Sequence, residues 1–375
     1  MSNKNDADLL RLIGVRKTDD PWVFESVSLP GRAGNQQPIA FGGCALAVGL
    51  NAAGQTIEAE PRFVPYSITG QFLGPAVLDQ LYIAEVKPVR DTRSFRTRYV
   101  TVKQMMRGEL RPILVVTLDM IASPLSTRQA LDKAKASGKN PGHIQSLLRY
   151  QIDAPSVLDD VAKLETTEQN LKRRLDSGEI EQHHVDIFYE FLGLWTKMFD
   201  ARLVPDSIMT QNVIGFKEGP TTQDHLSVPQ RRVYDWFRLF QQLPPANGDN
   251  ALSAAGPDGQ LPQTSVMAHL CAIAFALDGL LAFAPISMAN DSMMMVAAAS
   301  SLDFAQRYHT DVLDANQWLL REVQTIHAGW QRTYTQANLF DQHGELIATC
   351  TQQCVLRPAP GAVDDEDDPQ TTAKL

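Results

Sequence analysis

The sequence is short of positive charge, of cysteine and of the compact motifs that fix a reaction by themselves. Its 34 Lys and Arg against 43 Asp and Glu leave a formal charge of −9. That balance argues against general nucleic-acid binding, which relies on a basic footprint to neutralise phosphates. Only four cysteines occur, Cys44, Cys271, Cys350 and Cys354. Their spacing fits neither a zinc ribbon nor a dense disulfide framework, and a reducing compartment is expected. No G-x-S-x-G elbow, Walker A loop, Rossmann glycine pattern or H-E-x-x-H is present, so serine-elbow hydrolysis, nucleotide and zinc-protease chemistry lack support. His183, His184 and Asp186 have no further ligands at useful spacing, and no metal is expected. The opening MSNKNDADLLRLIG has no apolar core behind a basic start, so no secretory signal is expected.

Long apolar runs are also absent, with one exception. Val266 to Met288 is apolar apart from His269, Asp278 and a few small residues, and is long enough to span a bilayer. It is Ala-rich, lacks flanking Lys or Arg and carries a carboxylate in its middle, which reads as a buried helix with no membrane span.

The order of elements repeats. WVFESVSL (22–29) reads as a strand, the Ala-rich stretch after Phe41-Gly42-Gly43 as a helix, and RFVPYSITGQFL, LYIAEVKPV, FRTRYVTVKQ and ILVVTLDMI as strands. A Ser-, Lys- and Gly-rich linker (123–142) and two helical stretches follow, the second being HHVDIFYEFLGLWTKMF. From about residue 201 the pattern returns: strand-like SIMTQNVIGF and RRVYDWFRLF, the Asp278 helix, then strand-like MMMVAAASSLDFAQRYH, WLLREVQTI, RTYTQANLF and LIATCTQQCVL. Val77-Leu78-Asp79 with Glu85-Val86 is echoed by Val312-Leu313-Asp314 with Glu322-Val323. An internal duplication is the economical explanation. It implies an α+β arrangement, a helix on an antiparallel sheet, twice, with the two sheets joined edge to edge. The expected divisions are 1–122, a helical insertion at 123–200, 201–358, and an acidic disordered tail at 359–375.

Asp278 is the first candidate for chemistry. An ionised carboxylate is almost never fully buried unpaired, and AFALDGLLAF offers no basic neighbour, so its partner must come from elsewhere in the fold. Desolvation raises such a pKa toward a value useful for orienting or deprotonating water. On the last strand, alternation puts Cys350, Gln352 and Cys354 on one face, and a buried Gln352 amide needs partners. The cysteines read as small core residues. Ser300 and Ser301, at a polar break after VAAA, offer a hydroxyl. Phe41-Gly42-Gly43 before a helix presents backbone N–H groups to a thioester oxygen or a phosphate, though tight packing alone also accounts for those glycines. The basic stretch Arg90, Arg93, Arg96, Arg98, Lys103, Arg107, Arg111 is either an anion patch or a solvated strand face.

Taken together, FGG (41–43), FLGP (72–75), VRDTRSFRTR (89–98), ASSLDF (299–304), WLLREV (318–323) and GELIATCTQQCVLR (344–357) resemble the acyl-CoA thioesterase II family, the double hot-dog thioesterases. The resemblance implies two hot-dog repeats, each a long helix wrapped by an antiparallel sheet. It implies hydrolysis of an acyl-CoA to a free acid and CoA by a water that Asp278, Ser301 and Gln352 hold, without a covalent acyl-enzyme. Backbone N–H groups then stabilise the oxyanion. Phe41, Gly42, Gly43, Arg90, Arg93, Ser94 and Arg98 become the substrate-binding candidates, and no cofactor is needed because CoA is part of the substrate. Association into a homo-oligomer is common among hot-dog proteins.

The sequence departs from the family pattern. Tyr66 and Thr69 stand where the family has histidines, Phe304 replaces the His after L-D, and the helical insertion is much longer than the usual linker. Two other readings stay open: a hot-dog lyase or isomerase of a specialised biosynthetic pathway, and a non-catalytic acyl-CoA binding protein. The terminal Ala373-Lys374-Leu375 is similar to the SKL-type peroxisomal address, which implies an import receptor as partner.

Overall fold

The computed structural model describes residues 8–34, 37–58, 62–123, 150–157, 160–217, 219–245 and 264–359, with single positions 136, 148 and 262. The tail with Ala373, Lys374 and Leu375, most of the 123–142 linker and most of the Pro- and Gly-rich loop at 244–263 lie outside the described residues.

The first half contributes α1 (Leu9–Leu12), β1 (Val15–Lys17), β2 (Val23–Ser26), α2 (Gly42–Gly54), β3 (Phe63–Phe72), β4 (Tyr82–Asp91), β5 (Phe95–Met106) and β6 (Glu109–Ala122). Two helices follow, α3 (Thr167–Asp176) and α4 (Gln182–Met198). The second half contributes β7 (Phe199–Leu203), α5 (Ile208–Gln211), β8 (Val233–Leu239), α6 (Ser265–Leu277), α7 (Ala284–Met288), β9 (Val296–Tyr308), β10 (Leu319–Gly329), β11 (Arg332–Asp341) and β12 (Leu346–Pro358). All twelve strands form one sheet in the order β1-β2-β4-β5-β6-β3-β9-β12-β11-β10-β8-β7, which reads as the same sequence of strands from either edge inward.

The halves meet at β3 and β9, antiparallel, with Ser67 opposite Arg307 and Gln71 opposite Asp303. Gly70 faces Phe304 across this seam. A Cβ on Gly70 would lie 2.6 Å from Phe304 Cζ and 2.6 Å from the Val115 carbonyl oxygen, so only glycine lets the phenyl ring cross there.

Helices α2 and α6 are each 13 residues long and run antiparallel inside the sheet. Gly43 approaches Phe275 at one end and Gly54 approaches Met267 at the other. From Gly49 the other side of α2 meets Val100, Val102 and Val116 of the sheet. With protein on both sides, a central helix needs no polar face, so neither sequence shows an amphipathic stripe. Among the described residues no helix is long and apolar enough to cross a membrane.

Two expectations change. Asp278 is not inside a long helix: α6 stops at Leu277, Asp278 is its C-cap, Gly279 follows and Leu280 takes a positive φ of 77°. SIMTQNVIGF is not a strand. Ile208–Gln211 form a helical turn and Val213, Ile214 and Gly215 are left-handed, with φ of 50°, 60° and 82°. The cause is side-chain competition for the backbone. Asn212 Oδ1 accepts the Gly215 N–H at 3.3 Å within the turn, while its Nδ2 donates to the Ser287 carbonyl at 2.9 Å and Ser207 Oγ accepts the Tyr234 N–H, which anchor the turn to the rest of the fold.

Candidate active site

Asp278 lies where the C-terminal end of α6 faces the N-terminal end of α2. Its own helix presents the negative end of a dipole and disfavours charge, while α2 presents unpaired N–H groups and favours it. The N-cap of α2, Phe41, has no side-chain bond to those N–H groups. Instead the Gly43 N–H donates to the Asp278 carboxylate. The close approach requires glycine, since a Cβ on Gly42 would lie 2.8 Å from Asp278 Oδ2 and 2.8 Å from Phe72 Cε1.

From the sheet, Gln352 Nε2 donates to Asp278 Oδ1 at 2.8 Å. Gln352 is fully buried, and its Oε1 accepts the Cys354 thiol at 3.6 Å. Both neighbours on that face, Cys350 and Cys354, are buried as the alternation requires. Burial pushes the Asp278 carboxyl from 3.8 up to about 7, against the pull of the bonds from Gln352 and Gly43. Asp278 is 8 % exposed and lines a cavity that Phe41, Gly42, Phe72, Phe275 and Ser301 also line.

Ser301 pairs with Cys354 across β9 and β12, and its hydroxyl bonds the Cys354 thiol. It reaches the same cavity as Asp278. The thiols are poor nucleophiles, because burial pushes Cys44 and Cys354 up to about 12 and raises Cys271 and Cys350 as well.

The structure does not bring Arg90, Arg93, Ser94 or Arg98 to this cavity. Arg98 is 2 % exposed and bonds Thr56 Oγ1, the Thr56 carbonyl and Asp91 Oδ1. Thr56 lies just past the C-terminal end of α2, about 20 Å of helix from Gly42. Arg90 lies over the Phe95 ring and bonds Tyr66, Thr97 and Asp119. Arg93 and Ser94 are exposed in the turn beyond. His184 does local work too, accepting the Glu181 N–H at the start of α4.

Arg321 is the site residue that sequence reasoning missed. Fully buried, it donates Nε and Nη2 to both Asp235 oxygens at 2.9 and 2.8 Å, and Nη1 to the Ala276 and Gly279 carbonyls at 2.9 and 3.0 Å. It therefore holds the backbone on both sides of Asp278, with the rings of Trp195 and Phe237 against its guanidinium. The available signal was an arginine in the middle of the apolar run WLLREV.

One antiparallel sheet carrying two central helices in matching places, with a buried carboxylate and amide where the helices meet, is a double hot-dog arrangement. Family models agree: the acyl-CoA thioesterase N-terminal domain matches residues 29–121 and the C-terminal domain matches residues 195–356. The chain belongs to the acyl-CoA thioesterase family. Its fold is similar to that of the acyl-CoA thioesterase II TesB2 of Mycobacterium marinum, at 20% identity over 94% of this chain and 100% of that one, TM-score 0.57. The tesB protein of Mycobacterium avium subsp. paratuberculosis gives 16% identity over 93% of this chain and 98% of that one, TM-score 0.57. A hot-dog protein of unknown function from Alicyclobacillus acidocaldarius gives 16% over 92% and 97%, TM-score 0.58.

Proposed function

We propose that Asp278 is the general base of acyl-CoA hydrolysis and that Gln352 and Ser301 help it hold the attacking water. The observation that carries this reading is the Asp278–Gln352 bond of 2.8 Å on the wall of a cavity, with the carboxyl pushed up to about 7. A base with that pKa is half ionised at neutral pH and still basic enough to take a proton.

Asp278 takes a proton from water as the water oxygen bonds the thioester carbonyl carbon. The tetrahedral oxyanion then collapses, the C–S bond breaks, and Asp278 returns its proton to the departing CoA sulfur. The products are the free acid and CoA. Donors for the oxyanion come from the N-terminal end of α2. There Gly43 is committed to Asp278 and the Cys44 N–H to the Phe41 carbonyl at 3.0 Å, which leaves the Gly42 N–H as the donor for substrate. Phe41 and Phe275, ring centroids 4.9 Å apart, flank that position.

The test is release of free thiol from a panel of acyl-CoAs. Asp278→Asn is expected to lower kcat by about 10²–10⁴-fold. Retention of wild-type kcat by the folded variant would show that the base is elsewhere.

A further inference from the structure

The cavity that begins at Asp278 does not end within the two repeats. Part of its wall comes from the segment between them, Leu171 of α3 and Phe188 and Leu192 of α4, and part from Val213 and Ile214 of the turn after α5 in the second repeat. Helix α3 and most of α4 lie between the two stretches that match the family models. Leu171, Phe188 and Val213 are buried with Ile180 in a small core of their own, separate from the main one.

This wall is built into the fold rather than draped over it. The Gly34 N–H donates to the Phe191 carbonyl at 2.7 Å, and Arg32 pairs with Glu190 at 2.9 Å. Gly31 leaves room for Leu194, and Gly279 for Trp195. The turn is unusual in that Val213 and Ile214, both β-branched, are left-handed, a conformation such residues adopt only at a cost of order 1–3 kcal/mol each. Asn212 fixes it: its carbonyl accepts the Gly215 N–H at 2.9 Å while its side chain holds the Ser287 carbonyl. The cost is met where two apolar side chains are turned toward the cavity.

Several polar side chains along the cavity wall are already committed. Asn170 donates to Glu165 and accepts from Arg174, Ser207 accepts from Tyr234, Thr196 donates to the Gly193 carbonyl, and Asp235 is paired with Arg321. What this part of the cavity offers a ligand is mostly apolar surface, from Leu171, Phe188, Leu192, Met209, Val213 and Ile214.

We propose that the segment between the repeats, together with a turn of the second repeat, is a gauge for acyl-chain length: α3, α4 and the turn at 212–215 close the end of a chamber for an apolar acyl chain. Leu171, Phe188 and Val213 set the longest chain accepted. The proposal rests on the reading of Asp278 as the point of thioester attack, which fixes the end from which the chain is measured. It differs from that reading in what it makes testable.

The experiment is kcat/KM for straight-chain saturated acyl-CoAs of increasing length, with wild type, Leu171→Trp, Leu171→Ala and Phe188→Ala. Each carbon that finds apolar surface contributes about four-fold until the wall is met. Leu171→Trp is expected to cost the longest good substrate about ten-fold or more and leave the shortest within about two-fold. Leu171→Ala and Phe188→Ala are expected to move the optimum to longer chains. Displacement of a fluorescent fatty acid by free fatty acids of the same lengths is measured on the same proteins and is expected to shift in the same way. Length profiles that stay fixed, or that fall in parallel at every length, overturn the gauge, as does a wild type that binds no fatty acid and turns over no acyl-CoA. Absence of thiol release with a shifted binding profile supports the gauge and overturns only the catalytic reading.

Discussion

The two halves of this molecule share a backbone plan and differ at the place where chemistry is possible. Their central helices have equal lengths, and Gln55 caps the first as Asp278 caps the second. Strand registers carry the equivalence further. Arg98 lies between Pro88 and Leu118 as Thr335 lies between Thr325 and Gln352, and Leu118 faces Ile68 as Gln352 faces Phe304. One step beyond a shared bulge, Pro65 takes the position of Ser301. The first half thus has Gln55, Pro65 and Leu118 where the second has Asp278, Ser301 and Gln352. An uncharged amide and a leucine have no charge to desolvate, whereas the Asp278 carboxyl has only the Gln352 and Gly43 N–H donors to offset burial, and its ionisation is disfavoured.

Each half also buries one arginine against the C-terminal end of its central helix, but from different strands. Arg98 reaches the Thr56 carbonyl from β5, and Arg321 reaches the Ala276 and Gly279 carbonyls from β10. Both pair with an aspartate, Asp91 and Asp235. A cation at a helix C-terminus is favourable in itself. The comparison teaches that this device belongs to the fold, whereas the carboxylate beside it belongs to one half only.

The largest effect expected from breaking this asymmetry is on turnover. Asp278→Asn removes the proposed base, while Gln55→Ala, its counterpart, is expected to leave kcat within about three-fold; thiol release compares the two directly. Next comes Gln352→Leu, which gives the second half the first half's residue. It is expected to lower kcat by about 10²-fold and to move the acid limb of the kcat–pH profile above about 7, because the lost N–H favoured the charged form. An unchanged limb would show that the amide does not act on the carboxylate.

The two arginines come third. Arg321→Met leaves Asp235 buried and unpaired and is expected to cost about 3–5 kcal/mol in urea unfolding. Arg98→Met is expected to cost less, since Asp91 is 47% exposed and water takes over as its partner. Equal losses would show that exposure of the aspartate does not decide the cost.

The smallest effect separates stability from pH. A carboxyl raised from 3.8 to about 7 contributes stability that is fully present below 3.8, is lost as pH rises toward 7, and is gone above it. The full span is about 4 kcal/mol at most. Asp278→Asn is expected to flatten that part of the stability–pH curve, whereas Gln55→Glu is expected to create a second, similar slope. Parallel curves for wild type and Asp278→Asn would mean that the carboxylate is charged in the folded state throughout.

Much of the fold was legible because duplication doubles the signal. The meanders β3–β6 and β9–β12 showed in their β-branched runs, and the central helices in their alanines. Asp278 and Gln352 were legible as polar residues in apolar surroundings. What sequence could not show was their bond, because it spans 74 positions and depends on how α6 lies against β12. Asp278 was misplaced to mid-helix because the apolar run continues through Leu281 and Ala282 after the helix has ended; Gly279 was the available stop signal. The 207–216 stretch was misread because its β-branched residues follow strand composition, while Ser207 and Asn212 impose turns. The basic run was read without its acids: Asp91 and Asp119 were in view, but only the fold puts them on Arg98 and Arg90.

The symmetric order of the sheet has a further consequence, for association. Among the described residues, joining the repeats at β3 and β9 leaves β1 and β7 at the margins, three and five residues long. On β7, Asp200 and Arg202 pair with each other. Margins so short, both of them carrying charged side chains, are poor templates for adding another strand. Among the described residues, the long strands that ordinarily invite edge-to-edge aggregation are all spent in the interior.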